Sequence, residues 1–262
     1  MHLKRLIVAA VLLPVLYFYI MYLPQGYFFF LLIFISLIAM SEFYHMYRVT
    51  GIFRYACLLL GISILGVSYM YHDHLMDIAA ISVMILMAMR LLLKRDPVTS
   101  LADIAPLIVG LLYVPFLFSF QAELRKLGPE WIVFLYASVW ASDSMAYYIG
   151  KGIGKRKLYR EVSPNKTVAG AAGSLIGGIT GALILRALIV PQITASAALF
   201  IGATIGIISV IGDLIESMFK RDAGVKDSGI IIPGHGGILD KIDGSLFAGP
   251  VLYWVLTALG IK

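Results

Sequence analysis

Asp213, Glu216 and Lys220 stand at i, i+3 and i+7, so a helix running through them carries two carboxylates and an ammonium on one face. Asp240 and Asp243, again three apart, can turn into the same space, and Asp143 in the run Trp140-Ala-Ser-Asp-Ser-Met-Ala-Tyr147 adds a fifth acid. Hard oxygen donors without cysteine select Mg²⁺ over zinc, and Mg²⁺ normally arrives with phosphates. The pattern predicts a phosphorylated substrate held with Mg²⁺, a second cation being left open. A structural ion pair with a helix-end lysine is the plainer alternative for Asp143 and for Asp213.

Between the acids run Lys220, Arg221, Lys226 and Asp227, followed by Pro233-Gly-His-Gly-Gly237. Gly236 and Gly237 allow main-chain N–H groups close to an anion, while Lys and Arg supply point and forked charge for a polyphosphate. A basic loop touching lipid headgroups is the bland alternative, and it gives no reason for interleaving acids with glycines. A second loop holds Gly150-Lys-Gly-Ile-Gly-Lys155 and then Ser163-Pro-Asn-Lys-Thr167. The glycine-lysine string follows no strand and lacks Walker A spacing, so it carries no nucleotide-fold meaning. Ser163-Pro164 reads as a turn or helix start, and Lys166 is placed to reach phosphate.

The elements that must position these groups are membrane helices. Of 262 residues 60% are hydrophobic and 14% charged, with a mean hydropathy of +0.91. Nine apolar stretches of 16 to 21 residues fall at 6–23, 27–44, 53–71, 75–93, 101–120, 131–149, 168–188, 195–214 and 245–260. Such lengths suit helices crossing a hydrocarbon core of roughly 30 Å, and the period-2 alternation of strands is missing. The expected fold class is an all-α polytopic membrane protein of about nine helices. The first stretch follows Lys4 and Arg5 but has no Ala-x-Ala-like cleavage site after it, so it is read as a span.

With the N-terminus in the cytoplasm, only Arg125, Lys126, Arg186 and Lys262 of the 21 Lys and Arg fall outside, leaving 17 inside. The positive-inside rule favours that orientation, and the net charge of +6 then belongs to cytoplasmic loops near anionic lipid and not to nucleic-acid binding. Residues 1–130 read as a transmembrane scaffold. Residues 131–262 read as the catalytic half, with cytoplasmic loops 150–167 and 217–244. The stretch Ala169–Gly181, rich in Gly, Ala and Ser, predicts close helix packing. Cys57, the sole cysteine, lies among apolar residues and reads as packing. An internal repeat of the transporter kind is not visible.

The run from Ser217 through Lys220-Arg221, Lys226-Asp227 and His235-Gly-Gly237 to Asp240-Lys-Ile-Asp243 resembles the C-terminal motif of the phosphatidate cytidylyltransferases, or CDP-diacylglycerol synthases. The resemblance extends through Gly212-Asp213-Leu-Ile-Glu216 and Ser163-Pro-Asn-Lys-Thr-Val-Ala-Gly170 to Asp143, covering most of 138–244. Two positions depart: Lys241 stands where the family usually has Arg, losing the planar fork, and Ala169 where it commonly has Glu. The resemblance implies CTP and phosphatidic acid as substrates, CDP-diacylglycerol and pyrophosphate as products, a homodimer, and a bacterial plasma (inner) membrane with the site facing the cytoplasm. Within it Asp213, Asp240 and Asp243 are expected to ligate metal, with Glu216, Asp227 and Asp143 around them. Lys220, Arg221, Lys226, Lys166, Lys241 and the His235 loop are expected to hold phosphates. A CTP-dependent lipid kinase and a transporter of phosphorylated solutes are the competing readings.

Overall fold

The computed structural model describes residues 14–229 and 236–261. Residues 6–13 of the first expected span and His235 of the glycine loop lie outside the described residues. Helices follow one another as α1 (14–22), α2 (Gln25–Met46), α3 (Gly51–Met70), α4 (Leu75–Lys94), α5 (Ser100–Leu111), α6 (Leu117–Leu127), α7 (Pro129–Ile153), α8 (Val168–Leu188), α9 (Ala195–Asp222) and α10 (Leu239–Ala258). Among the described residues six helices are long and apolar enough to cross a membrane: Gln25–Met46, Gly51–Met70, His72–Lys94, Ser100–Leu127, Val168–Leu188 and Ala195–Asp222. The chain is an all-α membrane protein.

Local chemistry sets the helix limits. Gly128 closes α6 at φ 155° and Pro129 opens α7, where its missing N–H costs nothing. Thr167 and Thr194 cap α8 and α9, their hydroxyls accepting from the N–H groups of Gly170 and Ala197. Several helices outrun the apolar stretches that announced them. The stretch 101–120 continues to Leu127 through a π turn at Leu112–Phe116, where Pro115 supplies no N–H to the ladder. The α9 helix runs eight residues past 214 to Asp222, and α10 starts at Leu239, six residues ahead of 245.

One element departs from the reading that no strand is present. Lys157–Tyr159 (β1) and Ser163–Thr167 (β2) form an antiparallel pair, with Lys157 opposite Thr167 and Tyr159 opposite Ser163. Ser163-Pro164 is therefore strand and not a turn or helix start. Three and five polar residues are too few to show alternation, and a two-stranded ribbon has an open edge on each strand where proline is tolerated.

Three helices of the C-terminal half pack backbone against backbone. A side chain on Gly177 would strike the Ala141 carbonyl of α7, and one on Gly178 would strike the Gly202 carbonyl of α9. Buried hydroxyls lock the same three helices. Ser142 donates to the Ser174 carbonyl at 2.9 Å and lies 3.2 Å from the Ser209 hydroxyl, while Ser174 donates to the Gly206 carbonyl at 2.9 Å. Hydroxyls that bond across membrane helices fix their register, here one residue from Asp143 and one turn from Asp213. Aromatic rings join the halves, with Phe43 of α2 and Tyr113 of the π turn against Phe219 of α9, ring centres 5.6 and 5.3 Å apart. Cys57 is a buried free thiol in this packing.

Candidate active site

Because α9 stays helical beyond the apolar stretch, Asp213, Glu216 and Lys220 do share one face. The first turns of α10 bring Asp240 and Asp243 against it. A cavity of about 660 Å³ forms between these helices, α7 and the β1–β2 ribbon, and its wall includes Asp143, Asp213, Glu216, Asp240 and Asp243 with Lys151, Lys157, Lys166 and Lys220. Five acids and four lysines thus line one chamber.

Asp213, Glu216 and Asp243 each offer one carboxylate oxygen within 4.8 Å of the others. Three carboxylates so close repel one another unless a cation stands among them. Glu216 Oε1 is buried without a hydrogen-bond partner, an acceptor left over after Glu216 Oε2 has bonded Lys220. That donor set, oxygen only and with one acceptor unclaimed, fits a hard divalent cation.

Both oxygens of Asp240, a residue expected to ligate metal, meet protein donors in this structure. Its Oδ1 accepts from Lys220 Nζ at 2.6 Å. Its Oδ2 accepts from the Ser228 N–H at 3.1 Å, the Ser228 hydroxyl at 2.9 Å and the Gly237 N–H at 2.7 Å. With both oxygens taken, Asp240 ties the two ends of the glycine loop together and anchors Lys220. Glu216 takes the third place in the acid group.

The loop has a second anchor that the sequence reading passed over. Glu42, 5% exposed near the end of α2, accepts from the Ile238 N–H at 2.9 Å and the Leu239 N–H at 2.8 Å, and its carboxylate lies 3.1 Å from the Ser228 hydroxyl, whose one hydrogen it shares with Asp240. Its carboxylate thereby also satisfies amides at the start of α10. A signal was present: Glu42 is an acid in the apolar run Ile38-Ala-Met-Ser-Glu-Phe43, as anomalous as Asp143.

The remaining expected residues divide. Lys166, carried on β2, pairs with Asp213 Oδ2 at 2.6 Å. Arg221 binds the Val162 carbonyl at 3.2 Å and the Val225 carbonyl at 3.0 Å, fastening the ribbon's turn to α9 without joining the cavity wall. Gly236 turns the loop at φ +86°. Lys226, Asp227 and Lys241 are exposed and line no part of the chamber among the described residues. Lys151 and Lys157, given no role from sequence, do line it.

Residues 3–259 match the family model described as the cytidylyltransferase family. The chain belongs to that family. The phosphatidate cytidylyltransferase of Bacillus subtilis (strain 168) is 38% identical over 184 residues, covering 69% of this chain and 68% of its own. That of Synechocystis sp. is 37% identical over 201 residues, 64% of this chain and 67% of its own. That of Staphylococcus saprophyticus is 40% identical over 153 residues, 58% and 59%. Within the family's motif the Lys241 departure falls on an exposed side chain. Lys241→Arg is accordingly expected to leave family activity within about twofold, as for surface substitutions generally. A tenfold change in the purified variant would show that Lys241 meets a ligand.

Proposed function

We propose that this chain transfers CMP from CTP to phosphatidate, giving CDP-diacylglycerol and pyrophosphate. The observation that carries this reading is the acid triad Asp213, Glu216 and Asp243 set in one chamber with four lysines. Relatives that share the family bear this activity in their names.

In this reaction a phosphatidate oxygen attacks the α-phosphorus of CTP in line. The bond from that phosphorus to the oxygen bridging to the β-phosphate breaks, and pyrophosphate leaves with the bonding electrons. A phosphate monoester with a second pKa of about 6 is already largely dianionic at neutral pH, so no residue has to remove a proton.

What opposes reaction is repulsion between two anions and charge building on the leaving group. Lys151, Lys157 and Lys166 are the cations placed to meet phosphate oxygens. Lys220 is held between Glu216 and Asp240 and keeps those carboxylates in place. Asp213, Glu216 and Asp243 would hold Mg²⁺, whose chemistry there is to neutralise phosphate oxygens. Asp143 lines the chamber from α7.

The same reading puts the chamber at the cytoplasmic surface of a bacterial plasma membrane. Nine crossings with a cytoplasmic N-terminus put 17 of the 21 Lys and Arg inside, all but the four outside. Acyl chains stay in the bilayer and only the headgroup enters. A homodimer is proposed from the family resemblance.

The test uses purified protein in neutral detergent with phosphatidic acid, Mg²⁺ and CTP labelled at the α-phosphate. Label should pass into the lipid, stop when a chelator is added and resume with excess Mg²⁺. Full transfer in chelator would remove the cation from the reading. Transfer only from γ-labelled CTP to an added lipid alcohol would make the chain a kinase.

A further inference from the structure

A second cavity, of about 210 Å³, opens at the same end of the bundle between the α2–α3 and α4–α5 turns, lined by Tyr47, Arg48, Phe53, Arg90, Lys94 and Asp103 among others. Arg90 is 3% exposed. Its Nε donates to Asp103 Oδ2 at 2.8 Å and its Nη2 to the Val98 carbonyl at 3.1 Å, while Nη1 has no partner among the described residues. Lys94 Nζ reaches the same Asp103 oxygen at 3.0 Å. Arg48 forms no ion pair with a described residue. Two cations therefore share one carboxylate while the exposed Arg48 lines the same pocket, so positive charge is left over.

Two further features point the same way. The non-glycine residues with left-handed backbone among those described are Arg48 (φ 55°), Arg95 (φ 49°) and Thr99 (φ 61°), and all three sit in these two turns. Strain of this kind is kept where the surroundings over-determine it, often at ligand clamps. The helices entering from those turns, α3 and α5, begin at Thr50 and Thr99 with no side-chain cap, leaving their first N–H groups without that partner.

We infer that this pocket binds the phosphate of an anionic phospholipid headgroup, at a site separate from the catalytic chamber. Basic pockets between membrane helices at the membrane surface suit such headgroups. The helices that wall it turn Ile52, Tyr55, Leu91 and Leu101 outward, each at least 59% exposed, so acyl chains have an apolar surface to follow. The occupant lies one side chain from α9. Tyr47 lines the pocket and donates to Asp222 Oδ2 at 3.0 Å. Burial and the Asp222 carboxylate push its phenol above the ordinary range, so it stays protonated as the donor.

The test titrates dihexanoyl phosphatidylglycerol, below its micelle concentration, into the purified full chain in neutral detergent by calorimetry. Dihexanoyl phosphatidylcholine serves as the blank and inorganic phosphate as a separate titrant. Binding of the anionic lipid is expected to weaken at least about tenfold in Arg48→Gln/Lys94→Gln, the loss of roughly one charge-assisted bond. If the double variant loses its thermal transition, Arg48→Gln alone carries the comparison, since the Arg48 side chain makes no described bond. Phosphate binding with the same residue dependence keeps the site and makes a soluble anion its source. Equal lipid affinity in wild type and variant, or no heat from either anion, overturns the inference.

Discussion

Asp243→Asn is expected to lower label transfer about a thousandfold while leaving the thermal transition of the purified protein in place. Asp243 belongs to the group whose oxygens lie within 4.8 Å of one another. Its own folding bond is slight: Oδ1 accepts from the Gly244 N–H at 2.8 Å, and an asparagine oxygen can do the same. Charge neutralisation by a bound cation contributes several kcal/mol, and about 1.4 kcal/mol corresponds to a tenfold rate change. Asp240→Asn makes the comparison sharp. That residue positions Lys220 and the loop, and substitutions that act through another group typically cost about 10–100-fold. Equal losses at the two positions would return Asp240 to the ligand set; near-normal transfer in Asp243→Asn would remove Asp243 from it.

Glu42→Ala should cost roughly 10–100-fold in transfer and free the glycine loop, although Glu42 is outside the described chamber wall. Two donors, the amides of Ile238 and Leu239, would lose their acceptor, while the Ser228 hydroxyl keeps Asp240. Leaving a buried donor unpaired costs about 1–3 kcal/mol each, partly relieved if the loop opens to water. Hydrogen exchange at Ile238 and Leu239 should therefore rise in the variant, with exchange in α8 unchanged. Glu42→Gln keeps one oxygen acceptor and should fall between. Unchanged exchange at both amides would show that the loop is held by Asp240 alone.

How far the site was legible in advance follows from which forces act over short sequence distances. Asp213, Glu216 and Lys220 are bound by helical period alone, so their shared face could be read as soon as a helix was assumed. Asp240 could be placed near them but not given its work. What decides between ligand and anchor is the partner, and Ser228, which shares Asp240 with the nearby Gly237 amide, is 12 residues away in the chain. Glu42 is 196 residues from Ile238 in the chain, and no local pattern announces that pairing. Its anomaly as an acid in an apolar run was visible; its destination was not. The β1–β2 ribbon escaped for a different reason. Its residues are too few and too polar to show a buried face in the sequence, and the contacts that tie it to α9, through Arg221 and Lys166, are distant in the chain. Apolar runs marked where helices cross lipid and could not mark where they end, since α9 and α10 extend on segments rich in polar residues, of which Glu216, Ser217 and Lys220 are buried.

The glycine contact between α7, α8 and α9 bears on the surroundings in which this chain works. A catalyst that supplies a precursor of membrane lipid alters the solvent in which it is dissolved. Backbones that meet directly, with hydroxyls bonded across them, leave no seam for acyl chains to enter or withdraw from. Changes in chain length or saturation then act on the outward faces of the helices and leave the spacing of the chamber walls as it was. The narrowest contacts in the bundle insulate the reaction from the product it helps to make.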